Sequence, residues 1–195
     1  MILQTGMRTD IPAFYSEWFM NRIKEGYVLV RNPYYPEQVT RYEINTNVVD
    51  LIAFCTKDPI PMMKYTEKLK AYGQYWFVTI TPYGKDFEPN VPDKNIVIKC
   101  FCELSGIIGI NSMGWRYDPV IVSKKYTVDH HISAFEKIAS QLYGCTETCI
   151  ISFVDLYEKV RRNAPEIREV SPSEQITLAK AFAEIGRRYG IEVKG

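Results

Sequence analysis

The chain has 195 residues, with 24 Lys+Arg against 23 Asp+Glu for a formal net charge of +1, and is 46% apolar and 24% charged. That balance excludes disordered, collagen-like and low-complexity classes, and leaves no overall charge with which to seek nucleic acid or an acidic membrane. No apolar run approaches the roughly 18 residues of a membrane span. The N-terminus meets Arg8 with no signal-peptide core before it, and five cysteines are an odd, scattered set, so a cytoplasmic protein with reduced thiols and no disulfide framework is expected.

Met1–Thr5 reads as a first strand. Asp10-Ile11-Pro12 then opens a helix predicted to run to about Glu25, because Asp caps and Pro is tolerated in a first turn. Gly26 closes it. Tyr27–Arg31 and Gln38–Ile44 flank Asn32-Pro33-Tyr34-Tyr35-Pro36-Glu37, which predicts a β-hairpin inserted over about residues 27–44. Val49–Cys55 is a second strand. A helical pattern after it ends at Tyr72-Gly73, and Tyr75–Ile80 is a third strand.

After the irregular stretch Thr81–Pro92, Val97, Phe101, Leu104 and Ile108 fall on one face of a helix that Gly109 closes. Met113–Tyr117 is a fourth strand. Val128, Ile132, Phe135, Ala139 and Leu142 form the stripe of the next helix, which stops at Gly144. Thr148–Val154 is a fifth strand. Asp155–Ser171 is irregular, with a short helix before Asn163-Ala164-Pro165. Ser171-Pro172-Ser173-Glu174 is a capping box, and Leu178, Phe182, Ile185 and Tyr189 carry the final helix to Gly190. Ile191-Glu192-Val193 starts a sixth strand.

Strands alternating with helices imply an α/β fold with a parallel sheet and right-handed crossovers. The near-continuous apolar strands suggest burial on both faces. No Gly-x-Gly-x-x-Gly follows the first strand and no Walker loop is present, so dinucleotide and P-loop versions are disfavoured. A full eight-unit barrel needs about 250 residues, so the expectation is a single domain over residues 1–195: a partial TIM-like barrel of about five to six units that stops short of closure.

Each strand delivers polar groups just past its C-terminal end, the face on which parallel α/β proteins build their sites. Arg8 and Asp10 follow the first strand, and Thr56-Lys57-Asp58 the second. Thr79, Thr81 and Tyr83 follow the third. Arg116 and Asp118 lie at the fourth, and Ser152 and Asp155 at the fifth. Arg8, Lys57 and Arg116 would bind an anionic group of a small-molecule substrate, with Thr79, Thr81 and Tyr83 lining the pocket. Asp10, Asp118 and Asp155 would position it or exchange protons. A capping role competes for Asp10, Asp58 and Asp118, which sit beside prolines. Arg116 lies within a strand, where an arginine is costly unless paired.

Other motifs carry less. Asp129-His130-His131 has the form of a metal motif, but Val128 and Ile132 take the helix stripe, so both histidines are expected on its exposed flanks. Cys145-x-x-x-Cys149 is similar to the start of a radical S-adenosylmethionine cluster loop, yet Ser152 stands where the third cysteine would be. With Cys100 and Cys102 in mid-helix, core or boundary thiols are expected, and no zinc set is formed. Fourteen tyrosines, among them Tyr34-Tyr35, would suit base stacking, but the neutral charge argues against a nucleic-acid partner.

Several stretches taken together resemble a bacterial family, domain of unknown function 1848. They are Arg8-Thr9-Asp10-Ile11-Pro12-Ala13-Phe14-Tyr15, Gly26-Tyr27-Val28-Leu29-Val30-Arg31-Asn32-Pro33, Phe54-Cys55-Thr56-Lys57-Asp58-Pro59, Pro82-Tyr83-Gly84-Lys85-Asp86, Trp115-Arg116-Tyr117-Asp118-Pro119 and Ile150-Ile151-Ser152-Phe153-Val154-Asp155-Leu156-Tyr157. Gly6-Met7 and Phe54-Cys55 depart from the family's usual Ser-Arg and Phe-Trp pairs. The resemblance implies no established activity. It implies a longer architecture whose cysteine-rich C-terminal segment looks like an iron–sulfur ligand set, of the kind found near radical S-adenosylmethionine enzymes and photoproduct lyases. This chain ends at Gly195, before such a segment, so an iron–sulfur cofactor is expected only with that tail.

The functional expectation is a (β/α)-barrel enzyme acting on an anionic small molecule. The alternatives are a carboxylate-metal phosphoester hydrolase using Asp10, Asp118 and Asp155, and a non-catalytic ligand-binding module, dimerising through the hairpin.

Overall fold

The computed structural model describes all residues, Met1–Gly195. The chain forms β1 (Ile2–Thr5), α1 (Ile11–Phe14), α2 (Ser16–Glu25), β2 (Tyr27–Arg31), β3 (Val39–Glu43), β4 (Leu51–Thr56), α3 (Ile60–Met63), β5 (Gly73–Thr79), α4 (Lys94–Ile108), β6 (Met113–Val120), α5 (Val128–Gln141), β7 (Thr148–Phe153), α6 (Glu158–Asn163), α7 (Pro172–Arg188) and β8 (Glu192–Lys194). Six strands make one sheet in the order β1-β4-β5-β6-β7-β8, while β2 and β3 pair separately. This is the expected α/β fold with its inserted hairpin. The chain divides into two compact units, Met1–Phe77 and Val78–Gly195.

In the first unit β1 runs parallel to β4, from Ile2 opposite Leu51 to Thr5 opposite Phe54. The hairpin is antiparallel, from Tyr27 opposite Glu43 to Arg31 opposite Val39. The core is aromatic: Phe54 lies 5.9 Å from Phe19 and 4.2 Å from Trp76, ring centre to ring centre. The first helix is broken. Asp10 caps α1, and Tyr15, at φ −133°, starts α2 afresh. Gly26 closes α2 in the left-handed conformation at φ 78°, as Gly does where a Cβ would clash.

Gly73 corrects the sequence expectation, because it closes no helix. It begins β5, its N–H donates to the Asp50 carbonyl at 3.0 Å, and a Cβ there would lie 2.7 Å from that oxygen. Close backbone approach, rather than a left-handed turn, is what needs glycine here.

In the second unit β6, β7 and β8 are parallel neighbours, with Trp115 opposite Cys149 and Tyr117 opposite Ile151. The helix stripes bury against them. Phe135 of α5 stacks on Phe182 of α7 at 4.2 Å and on Trp115 at 4.6 Å. The capping box at Ser171 and Glu174 starts α7 as expected.

Burial on both strand faces is a second correction. Trp115, Tyr117, Cys149 and Ile151 are buried, whereas Arg116, Asp118 and Ile150 are half-buried and Ser152 is exposed. Alternate residues point to opposite faces, so one face of β6 and β7 is sealed and the other carries the polar residues in a more open setting.

Candidate functional site

The C-terminal ends of β6 and β7 gather charged groups on that more open face. Arg116 and Asp118 are two residues apart on β6 and so share a face, and Arg116 sits opposite Ile150, which puts Ser152 beside Asp118. An Arg116 Nη donates to one carboxylate oxygen of Asp118, and the Ser152 hydroxyl donates to the other. The Arg116 Nε is buried and has no partner. The side chain is therefore held at one edge by its own carboxylate, with a buried donor left unused. Asp118 is the partner that an arginine within a strand requires.

Ser152, a strand-end hydroxyl with no role assigned from sequence, joins the site here. Its place two residues beyond the register partner of Arg116 was the signal, and it needed the strand pairing to be read. Asp155 follows at the wall of a cavity of about 500 Å³ that Ser152, Pro119 and Lys159 also line.

A buried polar lattice holds this end of β6 in place. The Tyr83 hydroxyl donates to the Pro119 carbonyl at 2.6 Å and accepts from the Ile121 N–H at 2.7 Å. Burial pushes the Tyr83 phenol well above its ordinary value, so it stays a neutral donor. His131 lies 2.8 Å from both the Tyr117 hydroxyl and the Ile121 carbonyl.

The histidine expectation is corrected in part: His130 is exposed, but His131 is fully buried. Burial, the largest influence, holds it below its ordinary value. Helix periodicity could not show this, because the position lies beside the apolar stripe and is covered only once residues 117–121 pack on it.

The other predicted residues fall in different surroundings. Thr81 is buried and donates to Glu88 at 2.8 Å, and Thr79 and Thr81 border a void of about 10 Å³. Besides its polar contacts, Tyr83 forms part of the wall of a groove of about 540 Å³ lined by α4 and α5.

In the first unit Asp10 is an N-cap. One oxygen accepts from the Ala13 N–H at 3.0 Å and the other from the Lys57 N–H at 2.8 Å. Burial pushes the neighbouring Asp58 carboxyl up. Arg8 turns toward the hairpin, donating to the Arg31 carbonyl at 3.1 Å.

No three His, Cys, Asp or Glu side chains converge as a metal site. With Asp10 used on both oxygens and Asp118 on Arg116 and Ser152, the hydrolase alternative has no carboxylate cluster to stand on. The cysteines do not fit a cluster either. Cys100 and Cys149 are buried, and Cys102 and Cys145 form a disulfide with Cα atoms 5.1 Å apart. That pair overturns the expectation of wholly reduced thiols. The partners are 43 residues apart, and the packing of α4 beside the end of α5 joins them.

These features define a parallel (β/α) protein with a polar cluster at its strand C-terminal ends. Residues 2–195 match the family described as domain of unknown function (DUF1848), and the chain belongs to that family. No curated protein matches it. Among solved structures, it is similar to a spore photoproduct lyase complexed with dinucleoside spore photoproduct, with a TM-score of 0.58 and 10% identity over 99% of this chain and 60% of that one. A cysteine-to-alanine mutant of spore photoproduct lyase gives a TM-score of 0.50 and 13% identity over 78% of this chain and 51% of that one. At such identities the likeness speaks for the fold alone. The chain spans about half to three-fifths of the length of those structures. No helix is long and apolar enough to cross a membrane.

Proposed function

We propose that this domain binds an anionic group of a small substrate at the C-terminal ends of β6 and β7. Arg116 is the anion-binding residue, and Asp118 and Ser152 orient it. The observation that carries this reading is the buried, unpartnered Nε of Arg116 on a side chain already fixed by Asp118. A guanidinium pinned at one edge presents its remaining N–H groups in a fixed fork suited to carboxylate or phosphate. Asp118, neutralising Arg116, positions rather than reacts. Asp155, at the wall of the adjoining cavity, is the carboxylate placed to exchange a proton with a bound molecule.

The likeness of fold to spore photoproduct lyase, together with the family resemblance, supports work alongside iron–sulfur and S-adenosylmethionine chemistry. The cysteines of residues 1–195 do not form the cluster, so its ligands would be supplied by other residues.

The test is a titration with inorganic phosphate and with acetate, read on the Arg116 Nε–H resonance by nitrogen-15 NMR. Saturable movement of that resonance with at least one of the two anions is expected. A resonance that does not move with either anion would overturn the assignment.

A further inference from the structure

A second site lies in the first unit, in a cavity of about 470 Å³ walled by β1, its following loop, α2 and β2. Three arginines border it: Arg8 from the loop, Arg22 from α2 and Arg31 from the end of β2. No Asp or Glu lines it, and none of the three is paired with a carboxylate. Three guanidinium groups sharing one cavity repel one another unless a counter-charge enters from outside.

Two details bear on how Arg8 and Arg22 are placed. Arg8 is tied through its Nη1 to the Arg31 carbonyl at 3.1 Å. The Arg22 Nε is buried and has no partner, which costs free energy as long as it stays unused.

Most of the rest of the wall is apolar, with Gln4, Thr5 and Thr9 as its polar members. Trp18 lies one helical turn before Arg22 and so shares its face, and Met7 and Leu29 are also in the lining. Trp18, Met7 and Leu29 are exposed by 45%, 78% and 56%, a large apolar area for a protein to leave wet beside unpaired cations. The volume falls within the range of small-molecule sites.

We propose that this cavity binds an amphipathic organic anion, its carboxylate or phosphate head held by Arg8, Arg22 and Arg31 and its apolar body covered by Trp18, Met7 and Leu29. The site is built within Met1–Phe77 and makes no use of Arg116, so each proposal can fail without the other.

Trp18 supplies the readout, because Trp76 and Trp115 are fully buried and Trp18 is not. The full chain is titrated with octyl phosphate, octanoate, octanol and inorganic phosphate while tryptophan fluorescence is followed. A saturable change is expected with octyl phosphate or octanoate at a concentration at least about tenfold below that for octanol, and it should vanish in Trp18→Phe. Whichever acid binds more tightly identifies the head group. Arg22→Met should raise the half-saturation concentration at least about tenfold with an unchanged circular dichroism spectrum. Arg31→Met, at an exposed strand end, gives the same test if the α2 variant folds poorly. Octanol binding as tightly as the acids, the absence of saturation, or wild-type titration by both folded arginine variants would overturn the proposal.

Discussion

Replacing Tyr117 by Phe tests the buried lattice behind the β6 strand end. The Ile121 carbonyl can only accept, so the His131 Nε2, 2.8 Å away, carries the ring proton. Burial disfavours the charged ring, so at neutral pH the other nitrogen, Nδ1, is an acceptor, and the Tyr117 hydroxyl donates to it at 2.8 Å. Phe keeps the ring that packs on Phe135 and Phe182, so no cavity is opened and only the oxygen is lost. The buried Nδ1 is then left without a donor, which costs about 1–3 kcal/mol. For a protein of this size that lowers Tm by roughly 2–12 °C. Urea denaturation at pH 7.5 should show a lower midpoint with an unchanged slope. A variant within about 0.5 kcal/mol of the wild type would refute the tautomer and the pairing deduced for His131.

Two further predictions concern acid and thiol chemistry. His131 has a folded value below its unfolded one, so its contribution is complete above about pH 6.5 and is lost as pH falls through the lower folded value. Asp86, held to about 2 chiefly by its hydrogen bond from Lys125, and Glu174, held to about 2 chiefly by Arg168, add a second loss as pH drops below the ordinary carboxylate range. Stability that stays flat from pH 7 to pH 3 in urea titrations would contradict both steps. For the disulfide, the denatured oxidised chain should titrate three thiols and the reduced chain five. Cys102→Ser should cost about 4 kcal/mol on the loop-entropy scale for a separation of 43 residues. Five thiols in the oxidised chain would remove the pairing.

Much of this architecture was legible in the amino-acid order. Helix stripes such as Val97, Phe101 and Leu104 are buried as their spacing requires, and Ser171 caps where its motif falls. Asp10 illustrates where local reading divides: its position beside Pro12 allowed a cap or a catalytic acid, and two backbone donors make it a cap. His131 and Cys102 illustrate where local reading stops. Each looked unremarkable on its own helix, and each takes its character from a residue elsewhere in the chain.

The sequence by itself determined the alternating elements, the inserted hairpin and the strand ends at which polar residues gather, because periodicity and caps report each segment's own solvent-facing and core-facing sides. Only the tertiary structure decided that β6 and β7 seal one face and leave the other more open, that Ser152 meets Asp118 across 34 residues, and that Cys102 meets Cys145 across 43. It also brought Arg8, Arg22 and Arg31 around one cavity. Those pairings depend on strand register and helix packing, which no local pattern encodes.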